Sequence, residues 1–553
     1  MIKHMHIEQY RKLKNIDFEF SENINAISGT NGTCKTSLLH LFSNSFQAVN
    51  KSCAWINDPK CIQTINAVNA VTNPKVESLT RGDKKYNDPA HGVSGILFTV
   101  DFFDGKTLGF RRHNSAASSR YAVKPKYQVG AHETLPACPV IYLGLSRLLP
   151  FGEYQNDDAV SDIKKSLPDK YQQEIATIYK RFTHYEVTPS STQKMGDIKT
   201  RADFSSNYEG IDSNTISAGE DNLYIILTAL VSLKYYFDSI TSSRAVESIL
   251  LIDELDATLH PALQINLLNL FRDFTSKYKI QIVFTTHSMS LLETMLSCRD
   301  NVLYLVDNIT NVVKMDDIDI YKIKMHLSSM THEDIYRDKV IPIFSEDAEA
   351  RFLLDMILSR FEEAHPDEFR GVRRFFHVVN VNLGADSLAN IFGDSKLLRM
   401  TMRSICVLDG DHNSNLTDCI VALPGKNGNE AGSRLSPEEL LFQYAKLLYE
   451  KDDEFWTDRT ILNKGYGKAF YLDRIQNAID DYNRKAEEGA TTEKRREFNK
   501  RLFNEHKSFF SLLFKHWLHN PENSSELHRF YRELKTLFKK VALYNEISEL
   551  EWV

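Results

Sequence analysis

Little in this 553-residue chain ties it to a membrane or to the outside of a cell. Its seven cysteines, at 34, 53, 61, 138, 298, 406 and 419, are odd in number and contain no C-x-x-C pair, so neither a zinc ribbon nor a disulfide framework is expected. The opening stretch MIKHMHIEQYRKLKNIDFEF has no apolar signal core, and the longest apolar run, near Leu223 to Leu233, is too short to cross a bilayer. A reducing cytoplasm is the expected setting, with no membrane partner. Positive charge is not in excess either: 67 Lys and Arg stand against 74 Asp and Glu, a net charge of -7. That excludes a uniformly basic nucleic-acid binder and confines any DNA contact to a local patch. No long heptad coiled coil lies between residues 36 and 217, and residues 432–553 hold no detectable repeat or low-complexity tract. What remains is an ordinary globular composition, 25% charged and 42% hydrophobic, in a chain too long for one core.

Residues 29–36 read Gly-Thr-Asn-Gly-Thr-Cys-Lys-Thr, after the strand-like Asn25-Ala26-Ile27-Ser28 and before the helically spaced Leu38-Leu39-His40-Leu41-Phe42. A strand, a Gly-rich loop and a helix in this order form a phosphate cradle, in which backbone N–H groups at the helix N-terminus face a polyphosphate. Gly29, Asn31, Gly32, Thr33, Cys34, Lys35, Thr36 and Ser37 are the candidate ATP-binding residues. Lys35 is assigned to the β- and γ-phosphates and Thr36 to Mg²⁺. Cys34 stands where the pattern has Gly. Its Cβ is expected to crowd the closest backbone approach to the phosphates, weakening ATP binding or slowing hydrolysis.

Three further elements suit the same chemistry. Ile249 to Ile252 is an apolar strand that ends in Asp253 and Glu254, which places one carboxylate in the Mg²⁺ shell and the other at the attacking water. Asp256 follows in the next loop. Ser217-Ala218-Gly219-Glu220 opens a long apolar helix; Ser217 and Glu220 have capping-box spacing, and a capped helix N-terminus can be offered to a phosphate of a neighbouring subunit. Gln281 to Thr286 is a strand that delivers His287. Together, in this order, the four elements resemble the ATPase heads of the ABC, SMC and RecF-like class, over roughly residues 1–330. The resemblance implies ATP held between two heads, with Ser217 and Gly219 of one subunit completing the site of the other. The stretch Leu145-Ser146-Arg147 lies about where such heads have a glutamine loop.

Past residue 331, strands at 341–344, 376–381 and 404–409 alternate with helices at 348–362 and 386–394, which predicts a parallel α/β sheet. Val407-Leu408-Asp409-Gly410-Asp411 ends a strand with carboxylates at i and i+2, able to share one side of an extended chain. Oxygen donors at such an edge suit Mg²⁺ or Mn²⁺. Ile343-Phe344-Ser345-Glu346-Asp347 is a second strand ending in acids, and Val378 to Asp386 reads as a strand, glycine turn and helix. Glu346 with Asp409 and Asp411 resembles the Toprim metal site. Many Toprim domains follow the Glu with Gly, where Asp347 stands here, so Glu346, Asp347 and Glu349 compete as ligands, with Glu346 favoured.

An ABC-type head followed by a Toprim domain resembles the OLD (overcoming lysogenization defect) family of nucleases, to which the Gabija nuclease and some retron effectors are related. The resemblance implies an ATP-binding, metal-dependent DNA endonuclease or nickase in anti-phage defence, assembled through its heads as a homodimer or higher homo-oligomer. It also implies a further acid, for which Glu438 is the candidate, and a catalytic lysine. Lys464, Lys468 and Lys515 compete for that role, and Lys515 is the one assigned. The expected fold class is α/β. Residues 1–154 form the first part of the head, 155–210 a helical insertion or dimerisation segment, and 211–330 the second part of the head. Residues 331–445 form the Toprim domain and 446–553 a helical region. Six Lys or Arg between Lys494 and Lys507 either grip a DNA backbone or form a solvated helix face. Two rivals remain: a non-nucleolytic DNA-repair ATPase, and a nucleotide-gated sensor that holds another defence subunit or a reverse transcriptase with its RNA–DNA product.

Overall fold

Strong alternation of buried and exposed side chains turns the first nineteen residues into an antiparallel pair of strands, and continuous burial makes Ile24–Gly29 a central one. The computed structural model describes the chain except for residues 69–72, 77–87, 114–121, 128–133, 149–159, 164–166, 196–198, 214, 395, 398–402 and 429–432. Two compact units divide it, Met1–Thr331 and His332–Val553.

The strands of the first unit are β1 (Ile2–Tyr10), β2 (Leu13–Glu19), β3 (Ile24–Gly29), β4 (Ile96–Phe102), β5 (Thr107–Arg112), β6 (Val123–Lys126), β7 (Val140–Leu143), β8 (Val160–Ile163), β9 (Val187–Met195), β10 (Lys199–Ser206), β11 (Ser248–Ile252), β12 (Ile280–Thr285), β13 (Asn301–Asp307) and β14 (Val312–Lys314). Among the described residues, eleven of them form one sheet in the order β6-β5-β4-β1-β2-β14-β13-β3-β12-β11-β7. From β13 to β7 the pairing is parallel, so β3, β11 and β12 end at the same sheet edge, where α/β folds place their ligands. Side chains alternate between two cores. Ile249 and Leu251 pack in one core with Leu38 and Leu41, while Leu250 and Ile252 belong to the other, with Leu227, Leu230 and Phe271.

The segment expected to be a helical insertion is mixed. Asp169–Thr183 is a helix with Tyr171, Ile175, Ile178 and Tyr179 buried at helical spacing. β8, β9 and β10, however, form a three-stranded antiparallel sheet. Val187, Thr188 and Thr192 are β-branched residues without a helical apolar repeat, and Val187–Met195 pairs with Lys199–Ser206 along its length. The boundary expected at 154/155 lies outside the described residues.

In the second unit, β15 (Ile341–Ser345), β16 (Phe376–Val378), β17 (Ile405–Leu408) and β18 (Ile420–Ala422) form a parallel sheet in the order β16-β15-β17-β18. Apart from Thr331, the segments expected as separate, 331–445 and 446–553, fall in this one unit. Helix Ser524–Ala542 packs on β17 and β18, and Phe361 meets Phe530 and Tyr531 with ring centroids 6.2 and 5.0 Å apart. No described helix is long and apolar enough to cross a membrane.

Candidate functional site

β3 runs into Gly29, whose φ is +142° and where a Cβ would stand 2.2 Å from the Leu305 carbonyl oxygen, so the loop starts where no side chain fits. It closes on Cys34, the residue before helix Lys35–Asn44, in the left-handed conformation at φ 64° and ψ 24°. An L-residue there costs roughly 1–2 kcal/mol that glycine avoids. The strain at this irregular position lies in the backbone. The Lys35 ammonium donates to the Gly29 and Thr30 carbonyls, both at 2.9 Å. Burial lowers its pKa, against the opposing pull of Asp253, Glu254 and Asp256.

β11 delivers Asp253 opposite this loop. The Thr36 hydroxyl donates to Asp253 Oδ2 at 2.8 Å and the Thr285 hydroxyl to Asp253 Oδ1 at 2.7 Å. A hydroxyl and a carboxylate side by side are the hard oxygen donors that Mg²⁺ takes, so this pair fits the ion assigned to it. Thr285 also accepts the Glu254 N–H at 2.7 Å, fixing that residue at a φ of 49°. Asp256 accepts the His287 N–H, at 3.2 and 3.4 Å from its two oxygens. Burial and the Lys35 charge lower the His287 pKa.

Ser217 and Glu220 form the capping box that their spacing predicts: Ser217 Oγ accepts the Glu220 N–H at 3.3 Å, and the Glu220 carboxylate accepts the Ser217 N–H at 2.9 Å. Ser217 is exposed. A Cβ on Gly219 would stand 2.5 Å from the Thr258 carbonyl oxygen, so the helix start packs directly on the loop that carries Asp256. Three residues that sequence reasoning gave no role complete the arrangement: Thr285, Asn222 and Arg147. Only the position of Leu145-Ser146-Arg147 in the chain pointed to the last.

In the second unit Glu346 and Asp409 stand at the ends of adjacent parallel strands. Glu346 Oε1 accepts the Asp409 N–H at 2.9 Å. Both side chains are buried, and burial, with Glu346 next to it, pushes the Asp409 pKa up to about 9. Asp409 Oδ1 is buried without a hydrogen-bond partner. The cation that meets the pair is Arg496, whose Nη2 lies 2.8 Å from Glu346 Oε2 and 3.4 Å from Asp409 Oδ2.

The other expected ligands make contacts of their own, and the charges of Asp347 and Glu438 also raise the Asp409 pKa. Asp347 caps helix Ala348–Ala364 by accepting the Ala350 N–H at 2.9 Å, and it pairs with Lys500. Glu349 accepts from Asn504 at 2.6 Å. Asp411 is half exposed, 3.8 Å from the His412 imidazole, which is itself 3.6 Å from Glu346. Glu438 is buried, and burial raises its pKa. Among the described residues no group of three or more His, Cys, Asp or Glu side chains is arranged to hold a metal ion.

The assigned lysine is not the one that touches the acids. Lys515 lines a groove of about 600 Å³ with Glu454, Asp458, His516 and His519. Lys468 pairs with Asp452, and Lys464 is exposed. Several cations of the basic stretch are paired within the unit. Arg496 and Lys500 meet the acids, Arg501 pairs with Glu493 and Glu505, and Arg495 packs over Tyr482 and Phe498. Lys494, Arg496, Arg501 and Lys507 are nonetheless exposed, so the stretch keeps a solvated face while several of its charges are paired within the unit.

Residues 212–293, which hold the capping box, the Asp-Glu strand and His287, match the family described as "AAA domain, putative AbiEii toxin, Type IV TA system". No curated protein matches the chain. Similar solved structures include the SMC head domain from Thermotoga maritima, at 10% identity over 57% of this chain and 98% of that one, with a TM-score of 0.31. The recombination mediator protein RecF of the RecFOR pathway is 12% identical over 57% of this chain and 98% of its own, with a TM-score of 0.31. For cbiO1 from Clostridium perfringens, part of the ABC transporter complex cbiONQ, the identity is 13%, the coverage 61% and 93%, and the TM-score 0.27. The family match, with the phosphate loop, Asp253 and His287 converging on one sheet edge, gives the first unit the architecture of an ATP-binding ATPase head.

Proposed function

We propose that this protein is an ATP-binding, divalent-metal-dependent DNA endonuclease or nickase of the OLD type, acting in anti-phage defence as a homodimer or higher homo-oligomer joined through its ATPase heads. The observation that carries the nuclease reading is the buried pair Glu346 and Asp409, at the ends of adjacent parallel strands, with Asp409 Oδ1 left unpartnered. Two acids held this close and this deep call for a cation. Glu346 and Asp409 would hold Mg²⁺ or Mn²⁺, which when bound supplies charge stabilisation for the attacking and leaving oxygens of phosphodiester cleavage. Arg496, already beside the pair, offers a planar cation to a DNA phosphate. In the head, Lys35 would bind the phosphates of ATP, Thr36 and Asp253 its Mg²⁺, and Glu254, held by Thr285, would orient the attacking water.

Incubating the purified protein with plasmid DNA and Mg²⁺ or Mn²⁺, with and without ATP, tests the proposal. Cleavage is expected, and Asp409→Ala is expected to reduce it about a thousand-fold or more while ATP binding is kept. Wild-type cutting by that variant would sink the nuclease assignment. A second reading, a DNA-repair ATPase without nuclease activity, is favoured by one feature: Arg496 already neutralises the acid pair. DNA-stimulated ATP hydrolysis with no metal-dependent cleavage would decide for it.

A further inference from the structure

Arg147 is 3% exposed and every nitrogen of its guanidinium is committed. Nε donates to Asn222 Oδ1 at 2.8 Å; Nη1 donates to the carbonyls of Asp253, Gly144 and Leu143 at 2.7, 2.9 and 3.2 Å; Nη2 donates to the Glu254 carbonyl at 2.8 Å. Asn222, fully buried, passes the connection on: its Nδ2 donates to the Ala257 carbonyl at 3.1 Å and to the Thr258 hydroxyl at 3.3 Å. One buried cation thus ties the strand end that carries Asp253 and Glu254 to the helix that begins beside Ser217 and Gly219.

Burial lowers the Arg147 pKa to about 10, which leaves it charged at neutral pH. A buried charge is a costly way to pack two elements together, and an apolar side chain would serve packing alone equally well. What the guanidinium adds is direction. It holds the carbonyls of the two peptides that flank Glu254, and Glu254 sits in the left-handed region at a φ of 49°, so a small rotation of either peptide re-aims the Glu254 side chain. Asn222 lies one helical turn beyond Gly219. Any shift of the helix start therefore reaches these peptides through Asn222 and Arg147.

In a head dimer the two ends of this connection serve different nucleotides. On the head-dimer reading, Ser217 and Gly219 would complete the ATP site of the neighbouring subunit, whereas Asp253 and Glu254 would serve the subunit's own. We infer that the Arg147–Asn222 pair is a positioning link that couples nucleotide engagement at the capped helix start to the setting of Glu254, so that the two sites of a head dimer hydrolyse ATP cooperatively. The inference rests on the head-dimer reading proposed above.

Steady-state ATP hydrolysis by the full-length protein, measured across ATP concentration, tests it. The wild type should show a Hill coefficient above 1, approaching the limit of about 2 for two sites. Asn222→Ala should bring it to about 1 and lower kcat about tenfold, with nucleotide affinity changed less than about twofold. Arg147→Lys, which keeps the charge but not the fork, should move both quantities in the same direction. A purely structural role would not alter the Hill coefficient of a folded variant. Non-cooperative hydrolysis by the wild type, or unchanged cooperativity in Asn222→Ala, overturns the link. Light scattering of Glu254→Gln with ATP separates the two levels: if no dimer forms, the head-dimer reading fails first and the link falls with it.

Discussion

At Cys34 the backbone takes a left-handed turn that glycine enters freely and cysteine does not. Cys34→Gly removes that cost, so the variant is expected to be more stable by about 1 kcal/mol and to bind or turn over ATP better than the parent. Urea unfolding and nucleotide titration check the two halves separately, and an unchanged or lower ATP affinity and turnover would mean that the loop accommodates Cys34 at no functional cost. This position was legible in the sequence because a phosphate loop is contiguous: its residues are neighbours in the chain before they are neighbours in space. Arg147 was not, since its acceptor on Asp253 lies 106 residues away. Nor was Thr285, whose acceptor carboxylate is 32 residues away. A hydrogen bond between distant residues leaves no mark on spacing.

Helix Arg495–Glu505 shows the same division at the scale of an element. Its buried Phe498, Leu502 and Phe503 have helical spacing, so the helix itself was readable. Which acids its cations would meet was not, because Arg496 and Glu346 are 150 residues apart. Arg496 and Lys500, one turn apart on the same side, touch Glu346 and Asp347. The arrangement predicts a competition, since a guanidinium and a divalent ion seek the same carboxylates. Arg496→Ala should lose about 1 kcal/mol of metal-free stability, a modest figure because the guanidinium is more than half exposed. The same variant should bind Mn²⁺ more tightly by calorimetric titration. Weaker Mn²⁺ binding would instead assign Arg496 to organising the site. The strands β9 and β10 escaped a sequence reading for a related reason: a polar segment rich in Ser and Thr carries little apolar periodicity, and its partner strand fixes its state.

For the whole molecule, the division at Thr331 and His332 places the ATP candidate site and the acid pair in separate units, each with its own buried apolar side chains. A ligand that binds only folded protein stabilises the unit that holds its site, by about 2.7 kcal/mol when present at a hundred times its Kd. Scanning calorimetry of the full-length Glu254→Gln protein should therefore resolve two responses. ATP with Mg²⁺ should raise the transition of the first unit, and Mn²⁺ without nucleotide that of the second, each by several degrees. Asp409→Ala should abolish the Mn²⁺ response and leave the ATP response in place, whereas Lys35→Ala should do the reverse. If both ligands raised a single transition together, the two units would unfold as one cooperative body. If Mn²⁺ moved nothing beyond its effect on Asp409→Ala, the second unit would carry no metal centre at Asp409, and the ATPase reading of the first unit would stand alone.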